Sequence, residues 1–397
     1  MKRILTRYYA LNFIFVAMVS FFNPILYIFL LKTFTVQQVG TYLSLFWLCS
    51  FFTEVPCGAI TDVIGEKKSL FISSFFRISG LLLLLSNQYA LLLLSALFSS
   101  ISESFQSGTA SSWVINTLKK KGYDESIDYD RMFSRASLIG SSTALIVGFI
   151  SSNYLYTHAA YLPLVFSMVA CFGQVLVVSM IEDYREKVSL DFTQIISTSM
   201  NELKSVASGL LKAKIGIILM LLITIPAIID LGPSNQWQAV FYDANNQSLT
   251  SYMWIIISVC GMIGSFIADK VLKQLKPSMT FMILIYINVA LVLLMSLNID
   301  MIVRIIIFAI YIIMNTICGV KGSTLLHKEI VEDDRFRNTT VSIYYSFEAI
   351  VMAMMLWVNG VSSELIGITN TWTVTAILVA IFVICGYWVI LRKNKMN

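Results

Sequence analysis

Apolar and polar residues alternate in long blocks along this chain. Twelve mostly apolar stretches lie at 9–31, 38–60, 69–86, 89–117, 132–152, 160–181, 215–240, 250–269, 279–297, 301–322, 338–359 and 369–391, separated by polar turns. Roughly 20 such residues carry a helix across a bilayer core, so each stretch predicts one membrane-spanning helix. The stretch at 89–117 is the weakest, being rich in Ser, Thr and Asn. The longest polar interval, 182–214, follows the sixth stretch. Within it Val188, Phe192, Ile195, Ile196, Met200, Leu203, Val206 and Leu210 recur at three- and four-residue steps. That spacing predicts an amphipathic helix lying on the inner membrane face. The expected architecture is an all-α integral membrane protein: a six-helix bundle at 1–181, a linker at 182–214 and a second bundle at 215–397.

Composition agrees with the pattern. Of 397 residues 57% are apolar and 13% charged, too few charges to cover a soluble domain of this size. The net charge of +5 comes from scattered small groups, which argues against a nucleic-acid partner. Those groups also set the topology. Lys2, Arg3 and Arg7, then Lys67 and Lys68, then Lys119, Lys120, Lys121 and Arg131 fall on one side. Lys270, Lys273 and Lys276, then Lys328, Arg335 and Arg337, then Arg392, Lys393 and Lys395 fall on the same side. Of the 28 basic residues, Lys32 and Arg304 fall opposite. The positive-inside rule then places both termini in the cytoplasm. The start Met-Lys-Arg leads into an uncleaved first span rather than a cleavable leader. The six cysteines have no metal or disulfide spacing and read as small core residues, and two histidines make a histidine metal site improbable.

The two halves carry matched landmarks in order. Asn23-Pro24 corresponds to Gly232-Pro233, Gln38 to Gln247, Asp62 to Asp269, and Asp130-Arg131 to Asp334-Arg335, with a slowly drifting offset. Parallel repeats related by an axis along the membrane normal are a transporter plan, with the substrate site at midplane.

Between the second and third spans, Gly58-x-x-x-Asp62-x-x-Gly65-x-Lys67-Lys68 resembles the cytoplasmic loop motif of the major facilitator superfamily. "GTYLSLFWLCSFFTEVPCGAITDVIGEKKSL", "SESFQSGTASSWVINTLKK" and "DRFRNTTVSIYYSF" are similar to a branch of bacterial efflux-type permeases. The resemblance covers the whole chain and implies a twelve-helix fold and an inner gate in which Asp62 meets the start of span 11 near Asn338 to Thr340. Three features depart from it. Glu66 stands where the family usually has a base, Glu103 stands near the place of a span 4 base, and "LIGSSTALIVGFISS" lacks the proline-containing glycine motif of many drug/proton antiporters. In physical terms Gly65 permits a turn with φ > 0, and Gly58 is expected to let span 2 approach a neighbour closely. Asp62 suits a helix N-terminus, where the dipole favours an anion.

A charge within the bilayer costs roughly 2.5–3.5 kcal/mol on insertion scales, so each one calls for an account. Glu54, Arg77, Glu103, Asp230 and Glu348 lie inside predicted spans. Glu54 and Arg77 come to similar depths on adjacent helices at ~1.5 Å rise per residue, which predicts a structural ion pair; proton coupling through Glu54 is the other reading. Glu103, near midplane, heads the proton-coupling candidates, followed by Glu348, Asp230 and Glu54. Ser99, Glu103, Gln106, Ala110 and Trp113 recur at helical spacing and predict a cavity-facing stripe. Asn23, Asn235, Gln236, Asn315, Tyr344 and Tyr345 are further cavity candidates. Trp237, Trp254, Trp357 and Trp372 are expected in an interfacial belt.

No Walker-type loop and no nucleophile–base constellation is present, so neither an enzyme nor a cofactor is expected. The expected partners are a small-molecule substrate, protons and the lipid bilayer, with a monomer sufficing. The leading expectation is proton-coupled efflux of a small amphipathic compound. Proton-coupled nutrient uptake is the alternative, and a non-transporting sensor or immunity protein a remote third.

Overall fold

The computed structural model describes residues 1–123, 128–182, 197, 201, 204, 208, 214–241, 248–270, 277–325 and 337–394. Each predicted stretch falls on one described helix or on two consecutive ones, and no strand occurs among the described residues. In the first half these are α1 (Lys2–Phe22), α2 (Leu26–Leu30), α3 (Val36–Ile64), α4 (Glu66–Leu84), α5 (Tyr89–Gln106), α6 (Thr109–Lys120), α7 (Tyr129–Ile150) and α8 (Leu162–Ser179). In the second half they are α9 (Lys214–Phe241), α10 (Ser248–Lys270), α11 (Pro277–Ser296), α12 (Met301–Leu325), α13 (Arg337–Ile366) and α14 (Ile368–Asn394). The expected amphipathic linker lies, apart from four isolated positions, outside the described residues.

Local chemistry sets several helix ends. Asp128 caps α7 by accepting the Arg131 amide at 2.9 Å, satisfying a donor that the first turn cannot pair internally. Gly65, with φ +89°, starts α4, and Gly367, with φ +90°, separates α13 from α14. The fourth span is interrupted: α5 ends at Gln106, Gly108 takes φ +69°, and α6 begins at Thr109. A π-helical turn at Ser151–Leu155 follows α7.

The residues cluster into two compact units, one of Met1–Phe34, Leu45–Leu203 and Asp243–Trp254, the other of Thr35–Ser44, Lys204–Tyr242 and Ile255–Asn397. These differ from the expected halves, because the first turns of α3 and of α10 each belong with the opposite half of the chain.

In the first unit, small polar residues carry the packing of α4 on α5. Ser73 Oγ donates to the Ser102 carbonyl and Ser102 Oγ to the Ser73 carbonyl, each at 2.9 Å. Ser95 Oγ donates to the Gly80 carbonyl at 2.8 Å. In lipid the apolar surface gives helices no reason to prefer one another, so close contact and interhelical hydrogen bonds decide the pairing. The polar character that weakened the fourth span is thus used at this seam. Ser167 Oγ similarly donates to the Met18 carbonyl at 2.7 Å, joining α8 to α1.

The second unit uses glycine. A Cβ on Gly40 would come within 2.6 Å of Gly360 Cα, so α3 and α13 cross backbone to backbone. Ser44 Oγ donates to the Ala353 carbonyl at 2.6 Å, and the Gln37 amide to Glu364 Oε2 at 3.2 Å, along the same crossing. Trp372 packs on Gly232 and is 1% exposed, and Trp237 is 3% exposed. These two tryptophans are core residues rather than an interfacial belt. In the first unit Trp254 lies against Gly148 and donates its indole N–H to the Ala144 carbonyl at 2.9 Å, so it too has a packing role. Trp357, 49% exposed, fits the belt.

Gly360→Ala should lower the apparent unfolding midpoint in detergent, with a loss of about 1–3 kcal/mol as for overpacked sites. Gly261→Ala, where an added Cβ meets nothing within 4 Å, should leave the midpoint unchanged or raise it.

Candidate functional site

The loop between α3 and α4 is built around Gly65. Lys67 Nζ donates to the carbonyls of Ser179 and Ile181 at 3.0 and 2.7 Å, neutralising the carbonyl end of α8. Glu66, 2% exposed, accepts from Asn116 Nδ2 at 2.7 Å, which accounts for an acid at a position where the family usually has a base. Lys68 and Asp62 are exposed. The partners expected for Asp62, at 338–340, have side chains outside the described set. Gly58 corrects its expectation. An added Cβ there meets nothing within 4 Å, so no close helix approach requires a glycine at that position.

At depth, Arg77 on α4 is 4% exposed and its Nη2 pairs with Glu103 Oε2 on α5. The expected pair with Glu54 is therefore replaced by a pair with Glu103, because α4 runs alongside α5 and presents Arg77 to it. Glu54 on α3 is exposed, faces the hydroxyls of Ser104 and Ser107, and lies within electrostatic reach of Glu103. Thr53 and Ser104 join the same wall through a 2.8 Å hydrogen bond between their hydroxyls. The cluster sits where the fourth span breaks, and interrupted helices at membrane depth occur where backbone lines a cavity or is buried in protein. Two carboxyl groups here stand against one guanidinium.

The rest of the expected stripe points elsewhere. Gln106, 6% exposed, accepts from Ser73 Oγ at 3.2 Å and from Gln174 Nε2 at 2.8 Å. Trp113, 2% exposed, lies among Tyr8, Leu11, Leu118 and Met132 and donates to the Glu182 carbonyl at 2.9 Å. Ser99 is 6% exposed, against Gly80. Helical spacing puts these residues on one face, and that face packs on neighbouring helices rather than on a cavity.

In the second unit, Glu348, Tyr344 and Tyr345 line a cavity of about 150 Å³ with Pro226, Gly322 and Ser323. Tyr344 donates to Glu348 Oε1 at 3.4 Å, and Tyr345 is 54% exposed. Asp230 Oδ1 accepts from Tyr311 at 2.7 Å, and Tyr311 is wholly buried. Gln236 is 2% exposed and held between Ser363 Oγ at 3.0 Å and Trp372 Nε1 at 2.8 Å, so it is a packing residue. Asn235 donates to the Leu231 carbonyl at 2.9 Å, Asn315 accepts from the buried Asn288 at 3.4 Å, and Asn23 is exposed just beyond α1. Among the described residues no group of three His, Cys, Asp or Glu could hold a metal ion.

Two features went unrecognised in the sequence. The Ser107-Gly108 pair signals the break in span 4 and sits beside Glu103. Lys321, in "CGVKGSTLL", is 5% exposed although it belongs to an apolar helix.

An all-helical fold whose apolar helices are long enough to cross a membrane is that of a multi-pass membrane protein. The chain belongs to the Major Facilitator Superfamily, which it matches over residues 8–329. It is 28% identical over 150 residues to the uncharacterized MFS-type transporter YxaM of Bacillus subtilis, 37% of this chain and 36% of that protein. The chain thus aligns with about a third of that relative's length. A point mutant of the nucleoside transporter NupG superposes with TM-score 0.79 at 14% identity, covering 97% of this chain and 99% of that one. The human organic anion transporter MFSD10 (TETRAN) superposes with TM-score 0.59 at 12% identity, covering 97% and 99%.

Glu103→Gln should destabilise the protein by about 1–3 kcal/mol by leaving Arg77 unbalanced, less than the 3–5 kcal/mol of a wholly buried pair because Glu103 is partly solvated. The double variant Arg77→Met with Glu103→Gln should recover most of that loss, as read from thermal midpoints in a double-mutant cycle.

Proposed function

We propose that this protein is a proton-coupled secondary transporter of a bacterial cytoplasmic membrane, with cytoplasmic termini, exporting a small amphipathic compound by alternating access. The observation that carries the reading is the imbalance at the broken fourth span. Arg77 balances Glu103, and Glu54 beside them has no basic partner among the described residues. A proton or a cationic cargo neutralises that remaining charge, and competition between the two for one site couples their movements in opposite directions. Glu54 therefore carries the proton, while Glu103 is the fixed anion that holds Arg77. Glu348 and Asp230, each hydrogen-bonded to a tyrosine, are secondary proton sites. Neutral or cationic cargo suits a site with excess acid.

Uptake is the second reading, favoured by the Tyr344–Tyr345 pair beside Glu348 in its small cavity. Two aromatic rings and a carboxylate suit a planar polar cargo such as a nucleoside, the class for which NupG is named.

Reconstituted protein in vesicles of both orientations, with an imposed proton gradient, tests both readings using a lipophilic cationic dye and a labelled nucleoside. Dye accumulation in everted vesicles that are acid inside supports export. Nucleoside accumulation in right-side-out vesicles that are acid outside replaces export with uptake. Folded protein that moves neither overturns the transport reading. Glu54→Gln should abolish uphill accumulation of the cationic dye and weaken its exchange across the membrane, with the protein still folded and inserted; full uphill activity in that variant removes Glu54 as the proton carrier.

A further inference from the structure

A groove of about 340 Å³ runs along α9, α13 and α14, within the second unit, and no acidic residue lines it. That volume falls in the range of small-molecule sites, roughly 300–1,000 Å³. Its rim is apolar and open, with Val374 45% and Leu378 60% exposed, while Ile225 at its base is 1% exposed. In a membrane-spanning helix those rim residues meet hydrocarbon, so whatever enters the groove comes from the bilayer.

Its polarity is graded along the membrane normal. Ser362, Asn359 and Thr375 line the groove within about 6–10 Å of the turn joining α13 to α14, at 1.5 Å rise per residue. Leu378 and Phe382 line it deeper, about 15–21 Å from that turn by the same rise, which reaches the middle of a ~30 Å hydrocarbon core. A bilayer lipid has the same gradient, with ester and headgroup oxygens at the interface and an acyl chain running to midplane.

Asn359 supplies the second, independent observation. It is 8% exposed, and among the described residues its carboxamide has no hydrogen-bond partner, yet it borders the groove. An amide in hydrocarbon without a partner is strongly unfavourable, so Asn359 calls for an acceptor or donor that enters from the membrane.

We propose that this groove is a specific site for one glycerolipid of the leaflet nearest the α13–α14 turn. Its ester oxygens accept from Asn359 and its acyl chain lies over Ile225 between Leu378 and Phe382. The site does not depend on the direction of transport.

The test uses the full chain in lipid nanodiscs containing phosphatidylcholine with a photoactivatable diazirine on the acyl chain, with adducts mapped by peptide mass spectrometry. Adducts should concentrate on α14 around Leu378 and Phe382, above those on the lipid-exposed face of α8 at Val169, Phe172 and Leu176. Thr375→Phe, which fills the groove, should lower the groove adducts by about tenfold, the factor that 1.4 kcal/mol of lost affinity produces, and leave the α8 adducts unchanged. Asn359→Leu should lower them in the same selective way. Equal labelling of α8 and α14, or groove labelling indifferent to both substitutions, overturns the site. Protection of the groove by tetraphenylphosphonium, an amphipathic cation, assigns it to cargo and overturns the lipid.

Discussion

Arg77 is 4% exposed within a bundle whose outer surface faces hydrocarbon, and much of the first unit follows from that. A guanidinium in such a place requires a carboxylate, and Glu103 on α5 supplies it. For the pair to form, α4 and α5 must run close, which the reciprocal serine hydrogen bonds and the Gly80 contact permit. With Glu103 held there, the interruption at Gly108 falls one turn further along the same span, and Glu54 on α3 faces the resulting corner. Packing, helix geometry and the candidate proton site are consequences of one requirement: every polar group inside the membrane needs a partner within the protein.

The same requirement explains the loop motif. Lys67 is not only a marker of the cytoplasmic side, because its ammonium group binds the last carbonyls of α8, which that helix cannot pair internally. Glu66 departs from the family pattern and is satisfied by Asn116 on α6. The motif therefore ties α4, α6 and α8 together at one end of the first unit, in addition to any gating role of Asp62.

Helix existence and length were legible from hydrophobic blocks because a bilayer demands a fixed run of apolar residues. The turn at Gly65 was legible because φ of +89° favours glycine. What each helix face meets was not legible. Lipid, a cavity and a neighbouring helix all accept the same spacing, so Gln106, Trp113 and Gln236 read as cavity residues and proved to be packing residues. Trp237 and Trp372 lie near span ends as an interfacial belt would, yet both are buried, Trp372 against Gly232 and Gln236. Pairing is illegible for a related reason. Depth along α3 and α4 put Glu54 level with Arg77, but the rotation of α4 turns the guanidinium toward α5. Sequence fixes height in the membrane far better than it fixes azimuth.

The polar groups that remain incompletely answered are therefore the informative ones. Many buried polar residues in both units have protein partners, including Ser73, Ser102, Gln106 and Gln236. Among the described residues Glu54 has no basic partner and Asn359 no hydrogen bond, and the two differ in what surrounds them. Hydroxyls and a second carboxyl group border Glu54, an environment that admits protons and polar cargo. Asn359 borders a groove with other small polar residues, including Ser362 and Thr375, and otherwise mostly apolar walls, an environment that suits a molecule already soluble in the membrane. Departures from local consistency concentrate at functional sites, and the character of the surrounding wall decides which ligand each departure serves.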